Sequence, residues 1–217
     1  MNTVNMTQEQ LTELITKIVI KNMDMQKMRI PLGVSNRHIH LDRADMDILF
    51  GAGSELTHKK DLGQPGQYAS EEIVTLKGPK GQLKNVRVLG PLRSQTQIEI
   101  SRTDGRTLGV DAPVRESGSL DSTPGIEIIG PAGSVVKDKG VIAALRHIHM
   151  TPQEALHAGL ADGQRVCVQL GTKEARGAVL QNTVVRVSDR YALEMHIDVD
   201  EANALGVSSG DFALVVE

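Results

Sequence analysis

Two short segments of this sequence carry the same histidine spacing: Arg37-His38-Ile39-His40-Leu41 and Arg146-His147-Ile148-His149-Met150. In an extended strand, residues i and i+2 point to one face. The rise is about 3.3 Å per residue, so two imidazoles spaced this way can close on a single metal ion. In an α-helix the same spacing would turn them to nearly opposite sides. Neutral imidazole suits zinc, copper, iron and nickel. Zinc is the default expectation, because it needs no redox partner and in enzymes commonly takes three protein ligands plus an open position.

The repetition extends beyond the histidines. Arg93, Glu99, Ile100 and Leu108-Gly109-Val110 have the same relative spacing as Arg190, His196, Ile197 and Leu205-Gly206-Val207. The two halves of the chain therefore read as a duplication, with Glu99 standing where His196 stands. Each pair gains a third ligand: His38, His40 and Glu99 for one ion, His147, His149 and His196 for a second. Two such sites can face each other as a two-metal centre. On a cleanly alternating strand Arg93, Gln95, Gln97 and Glu99 would share a face, and a guanidinium near a metal is suited to binding phosphate bidentately. Arg190 holds the repeat position and makes Arg93 less distinctive. His58 and His157 have no repeated partner and are expected to be solvated. Cys167, the single cysteine, lies in a Val-rich run and is expected to be buried and inert.

The elements that must position these residues are mostly strands. From Arg29 onward, short Val- and Ile-rich runs alternate with Gly, Pro and Asp turns. Ile73–Leu76, Val86–Leu89, Gln97–Ser101, Val166–Leu170, Val184–Val187 and Phe212–Val216 are examples. Many short strands at close spacing suggest barrels or sandwiches. Two helices are expected near residues 42–50 and 151–158, each directly after a histidine pair. Asp42 and Asp45 have cap spacing in the first, and Thr151, Pro152 and Glu154 in the second. Residues 7–22 read as an amphipathic helix with Leu11, Leu14, Ile15, Ile18 and Val19 on one face, followed by a polar, Met-rich linker. Such a helix either packs on its own domain or lies in a groove on a partner.

Composition narrows the function. The chain has 217 residues, 40% hydrophobic but only 2% aromatic, and a formal charge of −3. The core must be aliphatic. Few aromatics and no basic footprint exclude nucleic acid as the expected partner. No apolar run reaches membrane-spanning length and no secretory signal is visible, so a membrane is not expected either. One cysteine permits no intramolecular disulfide, which fits a reducing cytosol. Neither a P-loop nor a Rossmann glycine motif is present.

Several separate motifs resemble the PduL-type phosphate acyltransferases, a family that includes the phosphate propanoyltransferase of propanediol-utilising microcompartments. They are Ser35-Asn36-Arg37-His38-Ile39-His40-Leu41, Pro65-Gly66-Gln67-Tyr68-Ala69, Gly90-Pro91-Leu92-Arg93, Thr96-Gln97-Ile98-Glu99-Ile100-Ser101, Pro113-Val114-Arg115 and the second histidine segment. The likeness runs in consistent order from about Ile30 to the C-terminus. It implies a mainly β fold: two related β-barrel domains with short capping helices and an N-terminal amphipathic helix. Residues 1–26 would be the helix and linker, 27–36 plus 145–217 one barrel, and 37–144 the other. It implies two zinc ions per chain on His38, His40, Glu99 and on His147, His149, His196, with Arg93 contacting phosphate. The implied reaction interconverts propanoyl- or acetyl-CoA plus phosphate with acyl phosphate plus coenzyme A. The N-terminal helix would act as an encapsulation peptide toward microcompartment shell or lumen proteins, placing the enzyme in the microcompartment lumen of the cytoplasm. A homo-oligomer is compatible with the sequence, which fixes no state. The rival readings are a dinuclear zinc hydrolase and a shell-binding protein with structural zinc, the latter disfavoured by only three assignable ligands per site.

Overall fold

The computed structural model describes residues 7–172 and 176–216. Five helices are found there: α1 (Gln8–Lys27), α2 (Arg43–Phe50), α3 (Arg102–Leu108), α4 (Pro152–Ala158) and α5 (Val199–Leu205). The first half of the strands is β1 (Arg29–Ser35), β2 (His38–His40), β3 (His58–Asp61), β4 (Tyr68–Lys77), β5 (Gln82–Gly90), β6 (Gln97–Glu99) and β7 (Val114–Arg115). Then come β8 (Glu127–Ile129), β9 (Ser134–Val136), β10 (Val141–Ala144) and β11 (His147–Met150). The last four are β12 (Arg165–Leu170), β13 (Ala178–Val187), β14 (Glu194–Asp198) and β15 (Phe212–Val216).

These strands form one closed barrel and one open sheet. The barrel runs β1-β14-β11-β13-β12-β15 and returns to β1. The open sheet has nine strands, ordered β7-β10-β6-β2-β5-β4-β8-β9, with β3 added on β4. The expectation of a mainly β fold with two related closed barrels is therefore wrong: the fold is mixed α/β, with a single barrel beside an open half-barrel. The cause lies in one strand. In the barrel, β15 bonds both β12 and β1 and so closes the ring. In the open sheet, the free edge of β4, the counterpart of β12, is taken by β8 instead. β8 continues to β9, and neither reaches β10. The repeated motifs mark the histidine and third-ligand strands, and contain no residue of the closing strand.

The duplication itself is plain in the pairing. β2 lies between a parallel β5 and an antiparallel β6, and β11 lies between a parallel β13 and an antiparallel β14. His38 pairs with Glu99, and His147 with His196. The strand just before each histidine pair crosses to the opposite half. β1 runs parallel to β14 with Gly33 opposite His196, and β10 runs parallel to β6 with Ile142 opposite Glu99. Each sheet thus contains a strand donated by the other half.

Two aliphatic cores result, one inside the barrel and one under the open sheet. Ile39 and Ile148, between the paired histidines, are fully buried, as alternation requires when the imidazoles face away from the core. Ile148→Ala is expected to cost about 2–5 kcal/mol, read as a shift in the midpoint of denaturant unfolding.

α2 and α4 follow the histidine pairs as expected, capped by Asp42 and by a Thr151–Glu154 capping box. α3 and α5 were not anticipated. Each has seven residues, too few for a periodic stripe. Their capping boxes, Ser101 with Asp104 and Asp198 with Glu201, were the available signal. α1 continues to Lys27, through the stretch expected to be a linker. It runs beside β15 and α4, yet Leu11, Leu14, Ile15 and Val19 remain about half exposed. Residues 1–6, 173–175 and Glu217, within the expected segments, lie outside the described residues, as does the side chain of Ile18.

Candidate active site

Both histidine pairs, Glu99, His196 and Arg93 line one cavity of about 820 Å3 between the barrel and the open sheet. The strand pairing explains the convergence. Each pair sits directly after the crossing segment that links one half to the other, so both face the seam. His38 and His147 are held alike: each Nδ1 lies 2.8 Å from a backbone carbonyl two residues earlier, Asn36 or Leu145. Donation from Nδ1 leaves the lone pair on Nε2.

The arginine before each pair is also used alike. Arg37 forks onto Asp104 at 2.8 and 3.0 Å. Arg146 pairs with Glu201 at 3.1 Å. Both carboxylates belong to the capping box of the helix that follows the third-ligand strand, so each arginine ties a histidine strand to its partner. The two helix starts also touch, Thr103 N–H donating to Asp200 at 2.9 Å.

The first set is compact. His38 Nε2 lies 3.5 Å and His40 Nε2 4.0 Å from Glu99 oxygens, and the ligand atoms of all three fall within 4.8 Å of one another. The second set is looser. The rings of His147, His149 and His196 are 4.7 to 5.1 Å apart between centroids, but His196 Nε2 is 2.8 Å from Glu194. Among the described residues, one tight group of potential metal ligands is found rather than the two expected.

Charge within the cavity suits ligation. Burial raises the Glu99 carboxyl, but the neighbouring His38, then His40 and Arg93, hold it well below the usual carboxylate range. Burial lowers His38, but the Glu99 charge together with contacts to the Glu99 carboxylate and the Asn36 carbonyl raises it above the usual imidazole value. His40 is lowered well below the usual imidazole value by burial, then by His38 and Arg93. Burial, then His196, lowers His147 to about 4, and burial with His147 and His196 lowers His149 to about 2. These three are neutral imidazoles at physiological pH, the form that binds metal. His40 Nδ1 and His149 Nδ1, at equivalent positions, are buried with no hydrogen-bond partner. An orphaned buried nitrogen in each pair is costly unless something coordinates it. The residues present fit a divalent metal.

Arg93 reaches the cavity by a route other than strand alternation. β5 ends at Gly90 and β6 begins at Gln97, so Arg93 lies in the loop between them, its N–H bonded to Leu41 O at 2.8 Å. Its guanidinium is 3.3 Å from Ser117 Oγ. Burial, chiefly, lowers its pKa. Arg190, its repeat, is exposed on the surface. His58 and His157 are exposed, and neither lines the cavity. Cys167 is half-buried in β12, away from it. Sequence reasoning missed Gln64, Ser117, Arg186, Tyr191 and Glu194, which also line the cavity. The signal available was the repeat: Gln97 and Glu194 stand two residues before Glu99 and His196, the matched third positions.

The sequence model of the phosphate propanoyltransferase family matches residues 31–208. The chain is 58% identical over 183 residues to the phosphate propanoyltransferase of Rhodopseudomonas palustris, covering 84% of this chain and 80% of that one. It is 54% identical over 198 residues to that of Salmonella typhimurium, 91% and 93% covered. To that of Thermotoga maritima it is 54% identical over 188 residues, 87% and 89% covered. The chain belongs to the phosphate propanoyltransferase family and is an enzyme of the acyltransferase type.

Proposed function

We propose that the enzyme interconverts a short acyl-CoA, propanoyl- or acetyl-CoA, plus phosphate with the acyl phosphate plus coenzyme A, and that it does so with two zinc ions. The observation that carries this reading is the meeting of both histidine sets with Arg93 in one cavity at the seam. His38, His40 and Glu99 would hold one ion, and His147, His149 and His196 the other. Bound there, zinc would supply Lewis-acid polarisation of the thioester carbonyl and a soft ligand site for the departing thiolate. Arg93 binds the attacking phosphate and offsets its charge. A phosphate oxygen bonds to the carbonyl carbon, the C–S bond breaks, and coenzyme A leaves as the thiolate. Lys60 and Arg87, on strands of the open sheet, bring further positive charge to the cavity wall, suited to an anionic acyl carrier. No protein nucleophile is required. Residues 27–36 with 145–217 would act as one domain and 37–144 as the other, a division supported by the membership of the two sheets.

Acyl-CoA and phosphate supplied together should give a product that hydroxylamine traps as the hydroxamate. Free acid formed at the same rate without phosphate would instead identify a zinc hydrolase.

The same proposal extends to α1 as an encapsulation peptide that carries the enzyme into a microcompartment lumen. Its support is the half-exposed stripe of Leu11, Leu14, Ile15 and Val19. All proposed site residues begin at His38, so removing residues 1–22 is expected to leave the acyltransferase rate within about twofold and to abolish co-fractionation with shells. A lowered melting temperature with unchanged shell association would show that the helix serves its own barrel.

A further inference from the structure

The two residues that stand two positions before the proposed third ligands are a matched pair. Gln97 donates through Nε2 to Glu99 and to Ser117 Oγ at 2.5 and 2.8 Å, and its own oxygen accepts from Gly118 N–H at 2.8 Å. Glu194 accepts from His196 Nε2 at 2.8 Å, and from Gln64 Nε2 at 3.1 Å. The chemistry at each position follows that of the neighbouring ligand. A carboxylate ligand, Glu99, is given an amide donor. An imidazole ligand, His196, is given a carboxylate acceptor.

The surroundings of Glu194 are built to hold it. Gln64 comes from the loop between β3 and β4 of the open sheet, and it also grips the barrel backbone both ways. Its amide donates to Ala192 O at 3.0 Å, and its oxygen accepts from Ala192 N–H at 3.2 Å. The carboxylate lies against two glycines, Gly33 of β1 and Gly63 of the same loop. A Cβ at Gly33 would come within 2.7 Å of Glu194 Oε1, and a Cβ at Gly63 would meet both carboxylate oxygens. Neither glycine has the positive φ that would by itself call for glycine. The space they leave is filled by Glu194.

We infer that Glu194 is the positioning residue of the second metal site, clamped across the seam by Gln64, Gly33 and Gly63 so that it fixes the orientation and tautomer of His196. This rests on the two-zinc reading above. With one ring nitrogen donating to Glu194, the other carries the lone pair that a metal takes. The clamp draws on both halves of the chain, so the second site is set only when barrel and open sheet are docked.

The test measures zinc binding without substrate, by competition with a chromogenic chelator, in full-length wild type and in Glu194→Ala, Glu194→Gln and Gly63→Ala. The wild type should take up two ions per chain. Glu194→Ala should weaken the second by about 10- to 100-fold, the range seen when an outer partner of a metal ligand is lost, and leave the first unchanged. Glu194→Gln keeps an acceptor oxygen without the charge and should fall between. Gly63→Ala, which leaves Glu194 chemically intact but displaces it, should behave like Glu194→Ala. Equal affinity for the second ion in wild type and Glu194→Ala, with or without a lower melting temperature, overturns the inference. So does a zinc-loaded crystal structure with a Glu194 oxygen at about 2.0–2.2 Å from zinc, which would make it a ligand. A wild type that takes up fewer than two ions overturns the two-zinc reading itself.

Discussion

Stripping the enzyme of metal with a strong chelator is expected to abolish acyl phosphate formation, and stoichiometric zinc to restore it. The expectation follows from the donor set. His40, His147 and His149 are held neutral and Glu99 ionised in a buried cavity, and Nδ1 of His40 and of His149 lacks a partner. Without the metal, the polarising centre between the two histidine sets is gone, and a developing oxyanion beside them would face imidazoles and the ionised Glu99. Loss of even one fixed donor in such a site costs about 10²–10³ in kcat, and loss of the metal removes more than one. The measurement is the rate of hydroxamate-trapped product beside metal content in the same preparation. Full activity in a verified metal-free sample would show that catalysis runs through other groups.

Arg93→Ala is expected to lower kcat/KM for phosphate by about 10²-fold, the scale of losing one charge-assisted donor in a desolvated site, with zinc content unchanged. Arg93 is partly buried and close enough to Glu99 for their charges to interact, and its guanidinium is steadied by Ser117. Arg93→Lys should rescue poorly, because a point charge cannot reproduce the planar fork. Saturation curves in phosphate at fixed acyl-CoA read the effect. An unchanged phosphate dependence would remove Arg93 from the reaction.

Much of the cavity lining could be read from the sequence because its histidine motif is duplicated. The i, i+2 histidines imply strands, and the second copy gives the third position without a structure. The six marked runs fall wholly or mostly in strands β4, β5, β6, β12, β13 and β15 for the same reason: β-branched residues between turn residues leave few alternatives. What was not legible depends on long-range pairing. Whether a sheet closes is decided by which strand takes the free edge of β4, and Ile128 looks no different from Leu214 in a one-dimensional pattern. α3 was hidden because Gly105 interrupts a seven-residue element. Arg93 would share a face with Glu99 only if one strand ran unbroken between them, and a loop carries it instead. Glu194 and Gln64 are far apart in the chain, and nothing local links them.

The exchange of strands between halves has a consequence for how the polypeptide matures. β1 is made long before both its neighbours, β14 and β15. While the ribosome is still at work, β1 has two open edges, and an open edge is a template for unwanted pairing. Its alternating buried residues, Ile30 and Leu32, have no closed core to enter until β14 and β15 emerge. Pairings of such sequence separation form slowly. A nascent chain stalled before β14 therefore has neither a barrel nor a home for its first strand, and a protease or chaperone meets it in that state. The barrel wall of the cavity can be completed only once β14 and β15 have been made and have taken up β1.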